Sequence, residues 1–269
     1  MCTILFSVKA NEDFPLVIAA NRDEFYERPT LAAHWWEDQP NLLGGRDQKA
    51  GGTWFGITRS GRFATLTNFR VFPLKPDAPS RGELVSNFLK GEMSSEEYLE
   101  RLQSKGHLYN GFNLLFGQVD DLWYYGNMDK DQELAGPVSH GVHGLSNALL
   151  DSPWPKVEIG KQDFADHLTN PKQEPSSILD RLFNPSIHPD KLLPDTGIGI
   201  EGERPLSALF IRIPERKYGT RTSWHLTVSK ERRVRLIERA YQPNPSSRED
   251  VRASVQFDFQ LDPTPTSAE

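Results

Sequence analysis

The stretch Pro15-Leu16-Val17-Ile18-Ala19-Ala20-Asn21-Arg22-Asp23-Glu24 joins a short apolar run to four consecutive polar residues. The apolar run predicts a strand that is buried on both faces. Polar side chains that directly follow such a strand lie where binding or catalytic sites tend to form. Asp23 is suited to orienting an ammonium group, and Arg22 to favouring the thiolate form of a nearby cysteine. The alternative is that residues 21–24 form a solvated turn held by a salt bridge.

Strands and helices follow one another in blocks along the rest of the chain. Short β-type runs predict further strands at residues 2–8, 54–58, 63–67, 112–119, 122–125, 206–213, 222–229, 234–241 and 254–261. Helices are predicted after the capping-box patterns Ser80-Arg81-Gly82-Glu83 and Ser94-Ser95-Glu96-Glu97, and at residues 154–168 and 176–182. Residues 184–205 predict a long loop or lid. Because strict alternation of strand and helix is absent, we expect an α+β fold with two antiparallel sheets and helices outside them.

The composition is that of an ordinary globular protein, with 269 residues of which 37% are hydrophobic and 25% charged. We expect one domain over residues 1–261 and a frayed tail at residues 262–269. The net charge of −6 disfavours broad binding to a nucleic-acid backbone, which needs a basic surface. A single cysteine excludes an intramolecular disulfide and a Cys-rich zinc site, and the spacing of His140 and His143 predicts no metal ion.

The sequence also bears on the compartment. No stretch approaches the roughly 20 apolar residues of a transmembrane helix, and no secretory signal is recognised. The single cysteine suits a reducing compartment. We therefore expect a cytoplasmic protein without a transmembrane segment, with the mitochondrial matrix as the open alternative.

Cys2 is the most informative single residue. A methionine that precedes a small residue is usually removed in cells, which would make Cys2 the first residue of the mature chain. A terminal cysteine carries a thiol and an α-amine of pKa about 7.7–8.0, so one residue supplies both nucleophile and base. The alternative is that Cys2 is a small buried hydrophobe in the first strand.

Other candidates lie in glycine-rich segments and at strand ends. The segments Gly44-Gly45-Arg46-Asp47 and Gly51-Gly52-Thr53-Trp54-Phe55-Gly56 allow either close backbone approach to another group or tight turns around a strand. Asn68, Asn147 and Arg221 follow or begin predicted strands. An asparagine amide can donate to an oxyanion and an arginine can bind a carboxylate, although most asparagines at strand ends form turns.

Taken together, these motifs identify a family. The chain resembles the Transport and Golgi Organization family, also called NRDE proteins after the tetrapeptide at residues 21–24. The resemblance runs from Met1 to about residue 260. The matching strings are Ala19-Ala20-Asn21-Arg22-Asp23-Glu24-Phe25-Tyr26, Gly51-Gly52-Thr53-Trp54, Arg81-Gly82-Glu83-Leu84-Val85, Tyr109-Asn110-Gly111-Phe112-Asn113-Leu114, Tyr124-Tyr125-Gly126-Asn127, Gly144-Leu145-Ser146-Asn147-Ala148-Leu149, Pro153-Trp154 and Tyr218-Gly219-Thr220-Arg221-Thr222.

A more distant resemblance concerns the start of the chain, Met1-Cys2-Thr3, which is similar to that of choloylglycine hydrolases and penicillin V acylases. These N-terminal-nucleophile hydrolases have a four-layer αββα sandwich, and the resemblance implies the same fold here. It also implies a nucleophile, an amine-binding carboxylate, two oxyanion donors and an arginine, which would be Cys2, Asp23, Asn68, Asn147 and Arg221. One departure is that Ala20 occupies the position of an active-site arginine in the hydrolases.

The family resemblance links the chain to intracellular haem trafficking, to lipid or acyl-CoA homeostasis and, by name, to secretory-pathway organisation. The first hypothesis is a carrier of haem cargo that passes it to haem-accepting proteins, with Trp35, Trp36, Trp54 and Phe55 lining an apolar groove. The predicted ligand contacts are Asn21, Arg22, Glu24, Arg46, Trp54 and Arg70. The second hypothesis is a cysteine amidohydrolase or thioesterase that acts on an acyl compound through Cys2. The third is an interaction scaffold in which residues 21–24 form a structural turn.

Overall fold

Two antiparallel β-sheets form the centre of the structure, a computed structural model that describes residues 2–170, 174 and 177–263. The first sheet comprises β1 (Cys2–Val8), β2 (Leu16–Phe25), β10 (Gly141–Leu145), β11 (Arg212–Ile213), β12 (Tyr218–Val228), β13 (Arg233–Tyr241) and β14 (Val251–Gln260). Its strands lie in the order β10-β1-β2-β12-β13-β14, and β11 pairs with β12. The second runs in chain order through β3 (Thr30–Trp36), β4 (Gln39–Asp47), β5 (Phe55–Thr58), β6 (Arg62–Asn68), β7 (Phe112–Gln118), β8 (Asp121–Gly126) and β9 (Gly136–Pro137).

Helices cover the outer faces of both sheets. The helices α1 (Gly82–Lys90) and α2 (Ser95–Lys105) contact strands of the second sheet, whereas α3 (Pro155–Thr169) and α4 (Ser177–Leu182) contact strands of the first. A fifth helix, α5 (Ile200–Leu206), lies in the segment predicted as a long loop. The predicted α+β class and αββα layer order are therefore confirmed.

The alternation of side chains in β2 explains why this strand is central. Ile18 and Ala20 join the core between the two sheets, while Val17 and Ala19 pack in a separate cluster with side chains of α3 and α4. Successive side chains of a strand point to opposite faces, so an uninterrupted apolar run suits a strand with a layer on each side. The prediction of burial on both faces is confirmed.

The sequence did not predict strands β3 and β4. Gly44 and Gly45 lie within β4 and not in a turn. Neighbouring groups approach the backbone closely at both positions. A Cβ atom on Gly45 would lie 2.3 Å from the ring atom Cη2 of Trp54, and one on Gly44 would lie 2.5 Å from the carbonyl oxygen of Phe55. The alternative of close approach is thus the correct interpretation for these two glycines.

Several element boundaries differ from the prediction. The capping box at Ser94 and Glu97 is present, but the N-cap of α1 is Arg81 and the Ser80 side chain makes no cap. Of the strand predicted at residues 206–213, only β11 at residues 212–213 is present, and Leu206 belongs to α5. Residue 176 of the predicted fourth helix and residues 264–269 of the predicted tail lie outside the described residues.

Candidate functional site

A cavity of about 360 Å³ opens where β1 begins and β2 ends. The two strands pair antiparallel with Cys2 opposite Arg22, so the register places the cysteine beside the Asn-Arg-Asp-Glu tetrapeptide. Cys2, Arg22, Asp23 and Glu24 all line this cavity, and 9% of Cys2 is exposed. The pairing of adjacent strands thus brings together residues that are 20 positions apart in the chain.

The tetrapeptide continues β2 and does not form the solvated turn that one hypothesis assumed. Asn21 is fully buried, and its amide donates to the carbonyl oxygens of Leu182 at 3.0 Å and Leu209 at 2.9 Å. Its own oxygen accepts a hydrogen bond of 2.5 Å from Ser223. None of these partners lines the cavity, so Asn21 anchors β2 to the rest of the fold. Its contact with a ligand stays a prediction. The scaffold hypothesis loses the turn on which it depended.

Arg22 stacks on Trp54 at the cavity wall. The guanidinium carbon lies 4.1 Å from the centroid of the indole ring, and Nη2 lies 3.6 Å from a carboxylate oxygen of Glu24. Both Arg22 and Trp54 are more than nine-tenths buried. A stacked, ion-paired guanidinium is held in position, so Arg22 forms a fixed wall of the cavity.

Burial controls the protonation of Cys2 and Asp23. Burial raises the pKa of the Cys2 thiol, and the Asp23 carboxylate raises it further, against the opposing effects of Arg22 and of the Asp23 backbone N–H. Burial also raises the pKa of Asp23, whose carboxylate accepts a hydrogen bond of 2.6 Å from Thr220. Because desolvation disfavours both anions, the resting thiol is protonated and needs a proton acceptor to become a nucleophile.

The two asparagines predicted as oxyanion donors have different environments. Asn68 ends β6 and lines the cavity, and its side-chain amide makes no hydrogen bond with another described residue. Asn147 is fully buried, and its amide donates to the backbone carbonyl of Asn68 at 2.9 Å. Of the described residues that line the cavity, Asn68 therefore remains a candidate oxyanion donor. Asn147 holds Asn68 in place, and its role as an oxyanion donor stays a prediction.

Two of the predicted arginines lie away from the cavity. Arg221, beside a bulge in β12, donates to the carbonyl oxygens of Phe25 at 3.4 Å and of Arg28. Arg46 pairs with Asp38 at 2.9 Å and stacks on Trp36 at 4.1 Å. Neither side chain lines the cavity around Cys2, so the roles of Arg221 at the chain terminus and of Arg46 in ligand binding stay predictions.

A second cavity of about 410 Å³ adjoins the first. Four residues line both cavities, namely Glu24, Arg28, Asn68 and Arg81. The predicted contact Arg70 lines the second cavity and forms a buried ion pair with Glu203. Most of the remaining lining is apolar or aromatic, and consists of Phe25, Phe69, Val71, Phe72, Leu74, Ile198, Leu206, Ile213 and Tyr218. Together the cavities form a cleft that is polar around Cys2 and apolar beyond Arg81.

Comparison with known proteins agrees with the motifs. Residues 1–243 match the family model described as Transport and Golgi organisation 2. The chain belongs to this family. A Transport and Golgi organization 2 homolog of Mus musculus is 36% identical over 266 residues, which cover 92% of this chain and 96% of that protein. The homolog of Homo sapiens is 37% identical over 264 residues, which cover 89% and 93%.

Comparison with solved structures gives matches at low sequence identity and with TM-scores below 0.5. The N-acylethanolamine-hydrolyzing acid amidase ortholog of Caenorhabditis elegans has a TM-score of 0.47 and 10% identity, and covers 97% of this chain and 100% of that one. The C2A mutant of conjugated bile acid hydrolase from Clostridium perfringens has a TM-score of 0.44 and 13% identity, with coverage of 97% and 98%. The αββα assignment itself rests on the sheets and helices described above.

Parts of several strings shared with the Transport and Golgi organisation 2 family line the cleft, and two polar residues in or beside these strings were not predicted as site residues. Arg81 begins one of these strings and lines both cavities. Lys156 comes two residues after the string Pro153-Trp154 and is 2% exposed, with Nζ 3.4 Å from the Oδ1 atom of Asn147. For Arg81 and Lys156 the available signal was a position in or beside a family string, whereas nothing local pointed to Glu203.

The described residues also bear on metal binding and on membrane spans. These contain no group of three or more His, Cys, Asp or Glu side chains arranged to hold a metal ion. Within the same residues, no helix is long and apolar enough to cross a membrane. Both ring nitrogens of His143 have protein partners, Asp151 at 2.7 Å and the carbonyl oxygen of Ser139 at 2.9 Å.

Proposed function

We propose that the protein is a cytoplasmic carrier of haem, which binds its cargo in the cleft and passes it to haem-accepting proteins. The observation that carries this proposal is the junction of a charged cavity with an apolar one. Haem has a large apolar ring with two propionates on one edge. Such a ligand needs an apolar wall for the ring and cations at one end, and the cleft supplies both.

Arg81 is the arginine best suited to a propionate. It lies at the junction of the two cavities, and Nη1 donates to the carbonyl oxygen of Gly111 at 3.0 Å. A guanidinium has five N–H donors, so most of its donors remain for a carboxylate. Arg28 lies at the same junction, but its donors already bind Asp47 at 3.0 and 2.5 Å.

The available iron ligands suit a carrier that releases its cargo. Among the described residues that line the cleft, Cys2 and Tyr218 are the side chains with strong affinity for ferric iron when deprotonated. Burial raises the pKa of both groups, that of Tyr218 well above its usual value. Protonated thiols and phenols are weak ligands, so the ring contacts and the propionates would supply most of the affinity.

Haem titration of the purified protein tests the proposal. We expect a saturable change of the Soret band and transfer of bound haem to apo-myoglobin. Arg81→Met should weaken binding about tenfold, the effect of losing roughly 1.4 kcal/mol. Arg46→Met is the matched control, because Arg46 pairs with Asp38 outside both cavities. The absence of a saturable change and of transfer would overturn the proposal, as would equal losses in the two variants.

A second candidate is a cysteine amidohydrolase or thioesterase. Two observations favour it: Cys2 lies on the cavity wall, and the Asn68 amide, which donates to no other described residue, lines the same cavity. In this mechanism the thiol attacks an acyl carbon and its proton passes to the α-amine of a mature chain that begins at Cys2. The α-amine then gives this proton to the amine or thiol leaving group, and the acyl-enzyme forms on Cys2. Water hydrolyses the thioester bond of the acyl-enzyme and releases the free acid.

The mature N-terminus and a panel of thioesters and amides test this candidate. We expect the intact mass to show loss of Met1, and Cys2→Ser to abolish turnover. A protein that retains Met1 has no cysteine α-amine, and this outcome would contradict the mechanism. Turnover that survives in Cys2→Ser would contradict the assignment of the nucleophile.

A further inference from the structure

Residues 185–206 form a flap that contributes to the wall of the second cavity. Ile198 and Leu206 of the flap line this cavity of about 410 Å³. The two ends of the flap lie side by side, because the backbone N–H of Phe210 donates to the carbonyl oxygen of Asn184 at 2.8 Å. A loop with adjacent ends can move away from the sheets without displacing the strands. Whatever holds the flap in place therefore controls one side of the apolar cavity.

The flap is held together by its own side chains. Arg204 pairs with Asp190 at 2.7 Å and with Glu201 at 2.5 Å, and all three residues belong to the flap. Gly197 and Gly199 have φ values of +84° and +72°, in the region that favours glycine, and the turn that they form leads into α5. These contacts favour movement of the flap as one unit.

A buried ion pair anchors the flap. The carboxylate of Glu203 in α5 pairs with Arg70, and both side chains are 2% exposed. The other carboxylate oxygen of Glu203 accepts from the N–H and the hydroxyl of Thr196, at 3.1 and 2.5 Å. Arg70 is fixed in turn, because its backbone N–H donates to Asn147 at 2.8 Å and its guanidinium carbon lies 4.9 Å from the centroid of the Trp154 ring. Among the described residues, this is the one ion pair that joins the flap to the rest of the chain.

Elsewhere the flap is attached by a small apolar cluster. Ile198 and Leu206 share this cluster with Ile213 and Tyr218, which also line the cavity. Three large apolar side chains of the flap are between 40 and 58% exposed, namely Ile187, Leu192 and Ile200. A segment with little buried apolar surface opens at a low free-energy cost unless another contact holds it. The buried ion pair is that contact, since opening the flap must separate its two charges.

We infer that the Arg70–Glu203 pair is a latch, and that the flap opens the apolar cavity to a ligand when this pair separates. An opened flap removes Ile198 and Leu206 from the cavity wall, so a flat apolar ligand gains a route from the side. For the identity of that ligand the latch rests on the proposed carrier function, whereas the opening itself concerns this chain alone. A carrier must both load and release its cargo, and a latch on the cavity wall regulates both steps.

Hydrogen–deuterium exchange of the ligand-free protein, followed by mass spectrometry, tests the latch. Glu203→Gln keeps the size of the side chain but removes its charge, so Arg70 is left buried without a counter-ion. We expect the amides of residues 200–206 to exchange about 100-fold faster, because a lone buried charge favours the open flap. Amides of β2 should exchange as in the wild type, since that strand lies outside the flap.

Glu201→Gln is the matched control in the same helix. The Glu201 side chain is 82% exposed and pairs with Arg204 inside the flap, so exchange should stay within about threefold of the wild type. Equal exchange rates in the Glu203→Gln and Glu201→Gln variants would overturn the latch. Faster exchange of β2 together with the flap in Glu203→Gln would overturn it as well, because the pair would then stabilise the whole fold.

A milder pair of variants serves if Glu203→Gln does not fold. Glu203→Asp keeps the charge but shortens the side chain by one methylene, which weakens the contact with Arg70. The amides of residues 200–206 should then exchange about tenfold faster, because a buried pair depends on good geometry. Glu201→Asp is its control for the lower helix propensity of aspartate. Equal exchange rates in these two aspartate variants would overturn the latch.

The rate of haem association separates the latch from the carrier proposal. If the flap admits haem, stopped-flow measurement of the Soret band should show association about tenfold faster or more in Glu203→Gln, and unchanged in Glu201→Gln. Faster flap exchange in a protein that binds no haem would leave the latch in place and overturn the carrier proposal. Faster flap exchange with an unchanged rate of haem association would overturn the flap as the route into the cavity.

Discussion

The side-chain amide of Asn147 donates a hydrogen bond of 2.9 Å to the backbone carbonyl of Asn68. The two residues are 79 positions apart, yet this bond places the end of β6 against the segment that follows β10. It leaves the amide of Asn68 facing the cavity and keeps that of Asn147 buried. Two residues that looked equivalent in the sequence therefore lie in distinct environments.

This difference in environment predicts that the two alanine variants affect different properties, Asn147→Ala mainly stability and Asn68→Ala mainly turnover. Asn147→Ala removes the acceptor of Arg70, Ser146 and Lys156, so we expect it to lower the free energy of unfolding by about 3 kcal/mol. Asn68→Ala should cost less than about 1 kcal/mol, and should lower any thioester turnover by about 100-fold. Urea unfolding and steady-state rates measure both quantities. Equal losses of stability in the two variants would contradict the assignment.

Gly45→Ala is expected to disturb the cavity wall from outside the cavity. The added Cβ would lie 2.3 Å from the Trp54 ring, which must then move and release the stacked Arg22. Overpacking of this kind costs about 1–3 kcal/mol. In a double-mutant cycle measured by urea unfolding, Trp54→Phe should recover part of that loss, because the smaller ring relieves the contact. Strictly additive losses would show that the indole does not impose glycine at position 45.

The apolar wall of the second cavity should contribute to haem affinity and not to folding. Phe72 and Leu74 are 54% and 49% exposed, so their side chains contribute little to the core. Changing both to serine should weaken haem binding by about tenfold or more, with a nearly unchanged Tm. Ile187→Ser is the matched control, since Ile187 is 58% exposed and lies outside the cleft. A loss of affinity in this control would argue against a specific apolar wall.

Glu238 should make stability depend on pH near neutrality. Its carboxylate accepts a hydrogen bond of 2.5 Å from the Ala33 N–H, and burial raises its pKa to about 7. The folded state then holds a proton that the unfolded chain releases above about pH 4.5, so the free energy of unfolding falls as pH rises from about 5 to 8. The fall is up to about 3 kcal/mol. Urea unfolding at several pH values should show it, and Glu238→Gln should flatten it. A persistent slope in Glu238→Gln would assign the effect to another group.

The two capping-box patterns should respond differently to alanine. Ser94 accepts from the Glu97 N–H at 3.1 Å, and the Glu97 carboxylate accepts from the Ser94 N–H at 2.8 Å. Ser94→Ala should therefore cost about 1 kcal/mol, whereas Ser80→Ala should cost far less because Ser80 does not cap α1. Thermal unfolding compares the two directly. A larger loss at Ser80 would mean that α1 begins earlier than it does in the structure.

Local sequence predicted much of this protein. The apolar run before Asn21 identified a strand buried on both faces, the alternation at residues 254–261 identified β14, and the second capping box identified the start of α2. The position of Cys2 after Met1 and the polar run after the first apolar strand singled out Cys2 and the tetrapeptide, which strand pairing brings together. These features depend on residues within a few positions of one another, or on adjacent strands. The spacing of apolar and polar residues along the chain therefore predicts them.

Tertiary structure alone decided which polar residues face the cleft and which are enclosed. Asn21 and Asp23 are two residues apart, yet one anchors β2 and the other lines the cavity with Cys2. Arg70 meets Glu203 across 133 positions, and Gly45 is required by the ring of Trp54. Such contacts are set by how the sheets and helices pack, because a side chain is desolvated by whatever lies over it in space. No short window of sequence contains that information.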